Sequence, residues 1–286
     1  MRIIYHGHFD ASSQVDRITI SAKGNLTHMK LALSGRLWES VKIDQTPLVE
    51  QLAKAADWGY AGFEIRKSHM PSREGWDATR DALQKNNLQL VFTPLGGIPA
   101  DEDSTADFQN VIEFIAHLNG KFARLIPREE NYDALRRAAD FAADRGVKLI
   151  SQLHVNTLTD TVAHCEEFFA KLNHPNYGLI FDACHLPFSE TTSIDEAAKR
   201  LAPWTDVLNL QTYKLAQEGS ARGSQTIGGK DWEMTLPGDL EGTDLAESLR
   251  AVRANGFDGW ALVMPAVDPA DQIDAVAKAY VEYLEI

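Results

Sequence analysis

The sequence has little of what marks secreted, membrane-spanning or zinc-finger proteins. Two cysteines, Cys165 and Cys184, occur in 286 residues, without a Cys-x-x-Cys pair, so neither a disulfide framework nor a structural zinc site is indicated. No apolar run of about 18 residues occurs, which argues against a transmembrane helix. Residues 1–14 carry no apolar core of signal-peptide length. We therefore expect a cytoplasmic protein with reduced thiols.

Positive charge is also scarce. Lysine and arginine number 28 against 41 aspartates and glutamates, which gives a formal net charge of −13. An acidic surface repels phosphate backbones and anionic lipid, so we expect neither nucleic acid nor a membrane as a partner. The Gly-x-Gly-x-x-Gly fingerprint of a dinucleotide site is absent as well. The hydrophobic fraction of 44% is that of an ordinary globular protein.

Short, β-rich runs alternate with longer amphipathic stretches from residue 30 onward. Most of the runs are apolar through their centres, as strands buried on both faces are. The stretches 47–58, 129–145 and 240–255 carry apolar residues at helical spacing. The predicted strands are Lys30–Gly35, Tyr60–Ile65, Leu88–Thr93, Phe122–Ile126, Val147–Leu153, Tyr177–Asp182, Thr205–Gln211 and Gly259–Met264.

Eight strand–helix units in succession predict an α/β protein whose parallel strands close into a (β/α)8 TIM barrel. The barrel takes residues 30–286 as a single domain, and residues 1–29 form a short N-terminal β-hairpin extension. An open doubly wound sheet is the alternative fold. The stretch Thr212–Glu241 is expected to be a long loop, and its Arg222 and Lys230 make it a candidate lid over a bound anion.

The C-terminal ends of barrel strands carry the chemistry in such a fold, and the densest polar group follows strands five and six. Gln152 and His154 are two residues apart and so share one side of a strand. Asp182 ends the next strand, and His185 follows three residues later. Two imidazoles and a carboxylate are suited either to a divalent metal or to proton transfer near neutral pH.

These residues carry a family resemblance that covers most of residues 30–286. FDACHL at 181–186 and LISQLH at 149–154 resemble the Asp-x-x-His and Glu-x-His motifs of the xylose-isomerase-like sugar isomerases and epimerases. The stretch 236–265 is similar to the closing segment of that family. The resemblance implies one divalent ion held by a Glu, an Asp, a His and a Glu at the ends of strands five to eight. It also implies proton transfer by the two Glu residues.

The sequence departs from that ligand pattern at three of the four positions. Gln152 stands where the strand-five Glu is expected, and Met264 where the strand-eight Glu is expected. Gln211 stands at the His position, with Asn209 two residues earlier, so only Asp182 remains. An amide cannot act as a base, and a thioether is too soft for magnesium or manganese. We hypothesise that ordinary metal-dependent epimerisation does not occur.

Two functional hypotheses stay open after this comparison. The first is a sugar or sugar-acid isomerase, epimerase or lyase with a rebuilt site, in a homo-oligomer or a hetero-oligomer. It has one divalent ion (Mn, Zn, Co, Mg or Fe) on His154, Asp182 and His185, or none. The second is a non-catalytic sugar-binding relative or partner subunit; an AP-endonuclease-like nuclease is disfavoured by the acidic charge. The candidate catalytic residues are His154, Asp182, His185 and Glu64, and the candidate substrate-binding residues are Gln152, Gln211, Arg66, Arg128 and Lys214.

Overall fold

The structure of the chain is a computed structural model. It describes residues 29–39, 46–99, 101–217, 224–267 and 272–284, with the backbone alone for residues 102 and 103. The predicted N-terminal hairpin lies, except for its last residue, outside the described residues, and so does Arg222 of the predicted lid.

Parallel strands form a barrel, as the alternating sequence predicts. Their order around the sheet is β3-β2-β1-β12-β8-β7-β6-β5-β4. Each of the eight predicted strands is confirmed, although the third is interrupted at Val91 into two short pieces. The first piece pairs with β2 and the second with β5, so this interruption is the seam at which the sheet closes on itself. The barrel strands are β1 (Lys30–Ser34), β2 (Gly62–Glu64), β3 (Gln89–Leu90), β4 (Phe92–Pro94), β5 (Phe122–Arg124), β6 (Lys148–Gln152), β7 (Tyr177–Phe181), β8 (Thr205–Leu210) and β12 (Trp260–Val263).

The helices follow the strands and cover the outside of the sheet. Several begin at a side chain that accepts a hydrogen bond from the first turn, as at Asp101, Asn131, Thr161, Ser193 and Asp244. Such caps satisfy backbone N–H groups that the helix itself leaves unpaired. The helices are α1 (Arg36–Glu39), α2 (Leu48–Asp57), α3 (Trp76–Lys85), α4 (Glu102–His117), α5 (Tyr132–Ala143), α6 (Val162–Leu172), α7 (Leu186–Ser189), α8 (Ile194–Leu201), α9 (Leu245–Ala254) and α10 (Ile273–Tyr283).

Two apolar clusters stabilise the barrel, one between sheet and helices and one inside the lumen. The larger cluster joins the outward-facing strand residues to the buried faces of the helices. The lumen cluster contains only residues that alternate with these along the strands. Its buried members are Ala32, Val91, Phe92, Ile150, Ile180, Val207, Trp260, Leu262 and Met264. The lumen is therefore a packed core, and a ligand can enter only at its ends.

The stretch predicted as a long loop after β8 is largely β structure, which corrects the sequence prediction. It contains β9 (Tyr213–Leu215), β10 (Gln225–Ile227) and β11 (Lys230–Met234) in an antiparallel sheet of order β10-β11-β9. These strands are short and rich in charge, so they lack the apolar runs that identify the barrel strands. The side chains of Tyr213 and Met234 are buried against the barrel, which fixes this small sheet over the C-terminal end.

The opposite end of the barrel has a different character. A cavity of about 360 Å³ opens there, beside Lys30, Lys121, Asp206 and Trp260 at the starts of the strands. It does not reach the polar groups at the strand ends. In the parts of the chain that the structure covers, no helix combines the length and apolarity needed to cross a membrane.

Gly62 on β2 is expected to be sensitive to substitution because the lumen beside it is full. A methyl group there would lie 2.6 Å from a ring carbon of Trp260 and 2.9 Å from a methyl of Val91. We expect Gly62→Ala to lower the free energy of unfolding by about 1–3 kcal/mol, as measured by guanidinium denaturation. Gly96→Ala, where no heavy atom lies within 4 Å, is the matched control. Equal stability of the two variants would contradict this packing.

Candidate active site

Polar side chains replace apolar ones where the barrel strands end. Alternation along β6 and β7 places Gln152 and Asp182 on the lumen side, two residues beyond Ile150 and Ile180. Asn209 lies two residues beyond Val207 on β8. The lumen-facing polar residues at this end are Ser34, Glu64, Arg124, Gln152, Asp182, Asn209 and Gln211. Together they form the mouth of the barrel, the name used for this end below.

Asp182 is the centre of the hydrogen bonding in the mouth. Its carboxylate is fully buried and accepts from the amide of Gln152 at 2.7 Å and from the amide of Asn209 at 3.0 Å. The thiol of Cys184 donates to the other carboxylate oxygen at 3.0 Å. The strand-eight partner of Asp182 is therefore Asn209. Gln211 lies farther along, where it donates to the hydroxyl of Tyr213 at 3.1 Å.

Arg124 of β5 fixes the orientation of the Gln152 amide. Its guanidinium donates to Gln152 Oε1 at 2.7 Å, so the NH2 group of that amide must face Asp182. The guanidinium also lies 5.9 Å from the ring of Phe92 and feels the charge of Glu64. Burial lowers the pKa of Arg124 to about 10, which leaves it charged at neutral pH. Arg124, Gln152 and Asp182 thus form one continuous hydrogen-bonded chain.

The carboxyl of Asp182 is a weak acid in this setting. Burial raises its pKa to about 6, and the donors Cys184, Asn209 and Gln152 offset part of that rise. None of these three donors carries a charge, so no direct ion pair compensates the buried carboxylate. Asp182 is therefore able to gain or lose a proton near neutral pH.

Two imidazoles lie beside this carboxyl. The rings of His154 and His185 are stacked with centroids 4.2 Å apart, and His185 Nε2 is 3.8 Å from Asp182 Oδ2. Burial lowers the pKa of both histidines, so both are neutral at pH 7. His185 is buried, whereas His154 is only partly buried. His154 is thus the imidazole that a ligand in the mouth can contact.

Glu64, predicted from the sequence as a catalytic residue, is enclosed by its own partners. Its side chain is fully buried, accepts from the hydroxyl of Ser34 and pairs with Arg66 at 2.9 Å. Arg66 in turn pairs with Glu39 at 2.7 Å. Glu64 therefore lies in the mouth, and Arg66 is held by two carboxylates at its rim.

The structure does not bring the other predicted cations to Asp182. Arg128 is exposed. Lys214 pairs with Asp239 at 2.9 Å and lies 3.8–3.9 Å from carboxylates of Glu233 and Glu241. The roles predicted for these residues and for Arg66 in substrate binding remain predictions.

An aromatic wall lines one side of the mouth. Phe188 lies 5.3 Å from the ring of His185, 5.4 Å from that of Tyr213 and 4.6 Å from that of Trp232. Tyr213 and Trp232 belong to the small sheet after β8, so this sheet completes the mouth. Flat apolar faces of this kind suit the C–H face of a sugar or cyclitol ring.

Two arginines of the mouth were missed in the sequence. Arg124 is the one charged residue of the predicted strand FARLI, and strand alternation places it on the lumen side. Arg36 follows β1, and its charge acts on His154, His185 and Tyr213, so its guanidinium lies over the same mouth. A charged residue inside an apolar strand was the available signal for Arg124, while nothing in the local sequence marks Arg36.

Comparison with known proteins places this geometry in a family. The family model of the xylose isomerase-like TIM barrel matches residues 52–284. The chain therefore belongs to the xylose isomerase-like TIM barrel family, as the sequence motifs predict.

Relatives identified by sequence are dehydratases. The inosose dehydratase of Clostridium beijerinckii is 24% identical over 227 residues, which is 78% of this chain and 72% of that protein. The 3-dehydroshikimate dehydratase of Bacillus anthracis is 29% identical over 94 residues, which is 33% of this chain and 31% of that protein.

Solved structures show the same fold. The probable 3-DHS dehydratase AsbF of Bacillus anthracis superposes with a TM-score of 0.72 at 18% identity, covering 90% of this chain and 99% of its own. The IOLI protein, crystallised with a bound zinc atom, superposes with a TM-score of 0.70 at 17% identity, covering 90% and 98%. Identities this low carry the fold alone.

The residues in the mouth do not fit the divalent ion that the family pattern implies. At three ligand positions stand Gln152, Asn209 and Met264, and both amides turn their NH2 groups toward Asp182. An N–H donor cannot coordinate a cation, and a thioether is a poor ligand for hard ions. Among the described residues, one other set of ligand-type atoms, from Asp182, Cys184 and His185, lies within 4.8 Å. His154, predicted as a ligand, is not part of it.

Proposed function

We propose that this chain acts on a polyhydroxylated carbonyl compound, a sugar, cyclitol or sugar acid, by removing water through acid–base chemistry of its own side chains. The observation that carries the proposal is the composition of the mouth. A weakly acidic buried carboxyl and two neutral imidazoles lie beside an aromatic wall. The dehydratase names of two relatives support the reaction class.

Unpaired polar atoms support a ligand-binding role for the mouth. Of the described side chains there, Arg124 Nε, Asn209 Oδ1 and His185 Nδ1 are buried and have no hydrogen-bond partner. Buried polar atoms are rarely left unpaired in folded proteins, so these atoms are expected to bind a ligand or ordered water. Together they offer a charged donor, an acceptor and an imidazole nitrogen, which match the carbonyl and hydroxyl groups of an oxidised sugar.

Removal of water from a β-hydroxy carbonyl compound requires two proton transfers. We assign the first to His154, whose neutral imidazole takes the proton from the carbon next to the carbonyl. The imidazolium then returns a proton to the leaving hydroxyl, so that C–H and C–O bonds break, a C=C bond forms and water departs. Arg124 Nε is the donor available to the carbonyl oxygen, on which negative charge develops. Asp182 and His185 hold the floor beneath these groups.

A non-catalytic sugar-binding function is the second candidate, and one observation favours it. The Asp182 carboxylate is covered by three hydrogen-bond donors and has no exposed surface. Because it cannot reach a ligand without rearrangement, proton transfer rests on His154 alone. A barrel with this mouth could bind a sugar and release it unchanged.

The test is turnover of keto-cyclitol and dehydro-acid substrates. We expect the purified protein to convert an inosose or 3-dehydroshikimate to a product lighter by one water, detected by mass spectrometry, with and without chelator. His154→Gln is expected to lower kcat by about 100-fold or more, since general acid–base catalysis is worth about 10²–10⁴. His164→Gln, at an exposed histidine of α6, is the matched control.

The outcomes separate the two candidate functions. Saturable binding of these compounds without turnover would support the sugar-binding function and rule out the dehydratase. Neither binding nor turnover of any keto-cyclitol or sugar acid tried would contradict both. Turnover that His154→Gln leaves intact would remove His154 from the proposed role.

A further inference from the structure

We infer that the guanidinium of Arg124 is the fixed cation of this barrel mouth and stands in for the divalent ion of metal-dependent relatives. The solved IOLI structure shows that a barrel of this fold can hold zinc. In the present chain a protein side chain supplies the positive charge, so the mouth is complete without an ion.

The charges around Arg124 are the first argument. Glu64, whose charge acts on Arg124, is already paired with Arg66 and with the hydroxyl of Ser34. Asp182, which also acts on Arg124, has hydrogen bonds from neutral groups only. Arg124 is therefore the cation that balances the floor of the mouth.

The connection from Arg124 to Asp182 is the second argument. Gln152 accepts from Arg124 at 2.7 Å through its oxygen and donates to Asp182 at 2.7 Å through its nitrogen. A glutamate at position 152 would bring a second carboxylate next to Asp182 and recreate a cation site. The amide instead passes the polarisation of the guanidinium to the carboxylate without adding charge.

Repulsion is the third argument. An ion held by Asp182 and residue 152 would lie next to the Arg124 guanidinium, and like charges a few ångströms apart repel strongly in a poorly solvated site. The arginine and the ion are thus alternatives at one place. The free Arg124 Nε leaves one donor for a ligand oxygen, which is the contact that a metal ion would otherwise make.

The metal content of the intact protein tests the inference directly. Protein purified without an affinity tag is expected to hold less than about 0.1 equivalent of manganese, iron, cobalt or zinc after desalting. Adding MnCl2, CoCl2 or ZnCl2 is expected to shift Tm by less than about 1 °C, because only a ligand that binds the folded state stabilises it. Near-stoichiometric metal that Asp182→Asn removes would overturn the inference. Metal that Cys184→Ser removes would also overturn it, and would locate the ion on Asp182, Cys184 and His185.

A gain-of-metal series tests the role of Arg124 itself. The triple variant Gln152→Glu, Asn209→His, Met264→Glu restores the family ligands and is compared with and without Arg124→Met. With Arg124 replaced, we expect about one equivalent of zinc. With Arg124 retained, we expect at least about tenfold weaker binding because of charge repulsion. Equal affinities would contradict the inference.

Arg137→Met in the triple variant is the control for loss of one positive charge, since Arg137 is exposed on α5. It is expected to leave zinc affinity within about twofold, because exposed charges are screened. Should the triple variants fail to fold, the metal content of the wild type still decides. The inference concerns the mouth on which the proposed function rests, but metal content requires no turnover. A metal-free protein without dehydratase activity would contradict the proposed function alone.

Discussion

Replacing Arg124 by methionine is expected to lower the free energy of unfolding by about 3–5 kcal/mol, the usual cost of removing one partner from a buried charged group. Gln152 Oε1 would lose its donor, and the buried carboxylates of Glu64 and Asp182 would lose the cation nearest to both. Methionine keeps most of the side-chain length, so loss of packing against Phe92 is small. Urea denaturation at neutral pH measures the effect.

Arg137→Met provides the comparison for this variant. Arg137 is exposed on α5, and surface substitutions usually change stability by no more than about 0.5 kcal/mol. Arg124→Lys is expected to fall between the two, because lysine keeps the charge but lacks the planar fork of donors. A loss below about 1 kcal/mol for Arg124→Met would mean that the mouth does not depend on this cation.

The barrel itself was predictable because its strands are buried on both faces. Runs such as KLALS and YGLIF are largely apolar, and in a chain of alternating units that pattern is typical of buried parallel strands. The small sheet after β8 was not predictable in this way. Its strands, such as KDWEM at 230–234, carry charge and are only partly buried, so their pattern is that of a loop. Burial of Tyr213 and Met234 comes from the tertiary structure, not from a local pattern.

The candidate site divides along the same line. Gln152, His154, Asp182 and His185 could be predicted because they follow two apolar strands in the sequence. Whether Asn209 or Gln211 faces Asp182 depends on the position of β8 in the barrel, which only the three-dimensional structure gives. Arg124 pointed into the lumen by simple alternation, yet attention to strand ends favoured Arg128 instead.

The loss of the family ligands and the presence of Arg124 are best understood as one change. A mouth with Gln152 and Asn209 but no cation would leave Asp182 and Glu64 buried without compensation, which is costly. A mouth with Arg124 and the full ligand set would combine an arginine and an ion at one place. The substitutions at these positions are therefore expected to depend on one another, and measured effects of single changes should not add.

The second large effect concerns the pH dependence that Asp182 imposes on stability. Its pKa is raised to about 6 in the folded protein, above the unfolded value of about 3.9. The folded state therefore binds the proton more tightly, and the wild type loses stability as pH rises through this window. Relative to Asp182→Asn, we expect the wild type to lose about 2 kcal/mol between about pH 4.5 and about pH 7.5.

Urea denaturation of both proteins at the two pH values measures this difference. Comparing the change with pH, and not the absolute stability, removes the constant effect of placing an amide among the donors Gln152 and Asn209. Asp195→Asn, at an exposed position of α8, controls for removal of a surface carboxylate. A difference that grows in favour of the wild type as pH rises would mean that a cation stabilises ionised Asp182 directly. That sign would argue for an ion on Asp182 and against the role given to Arg124.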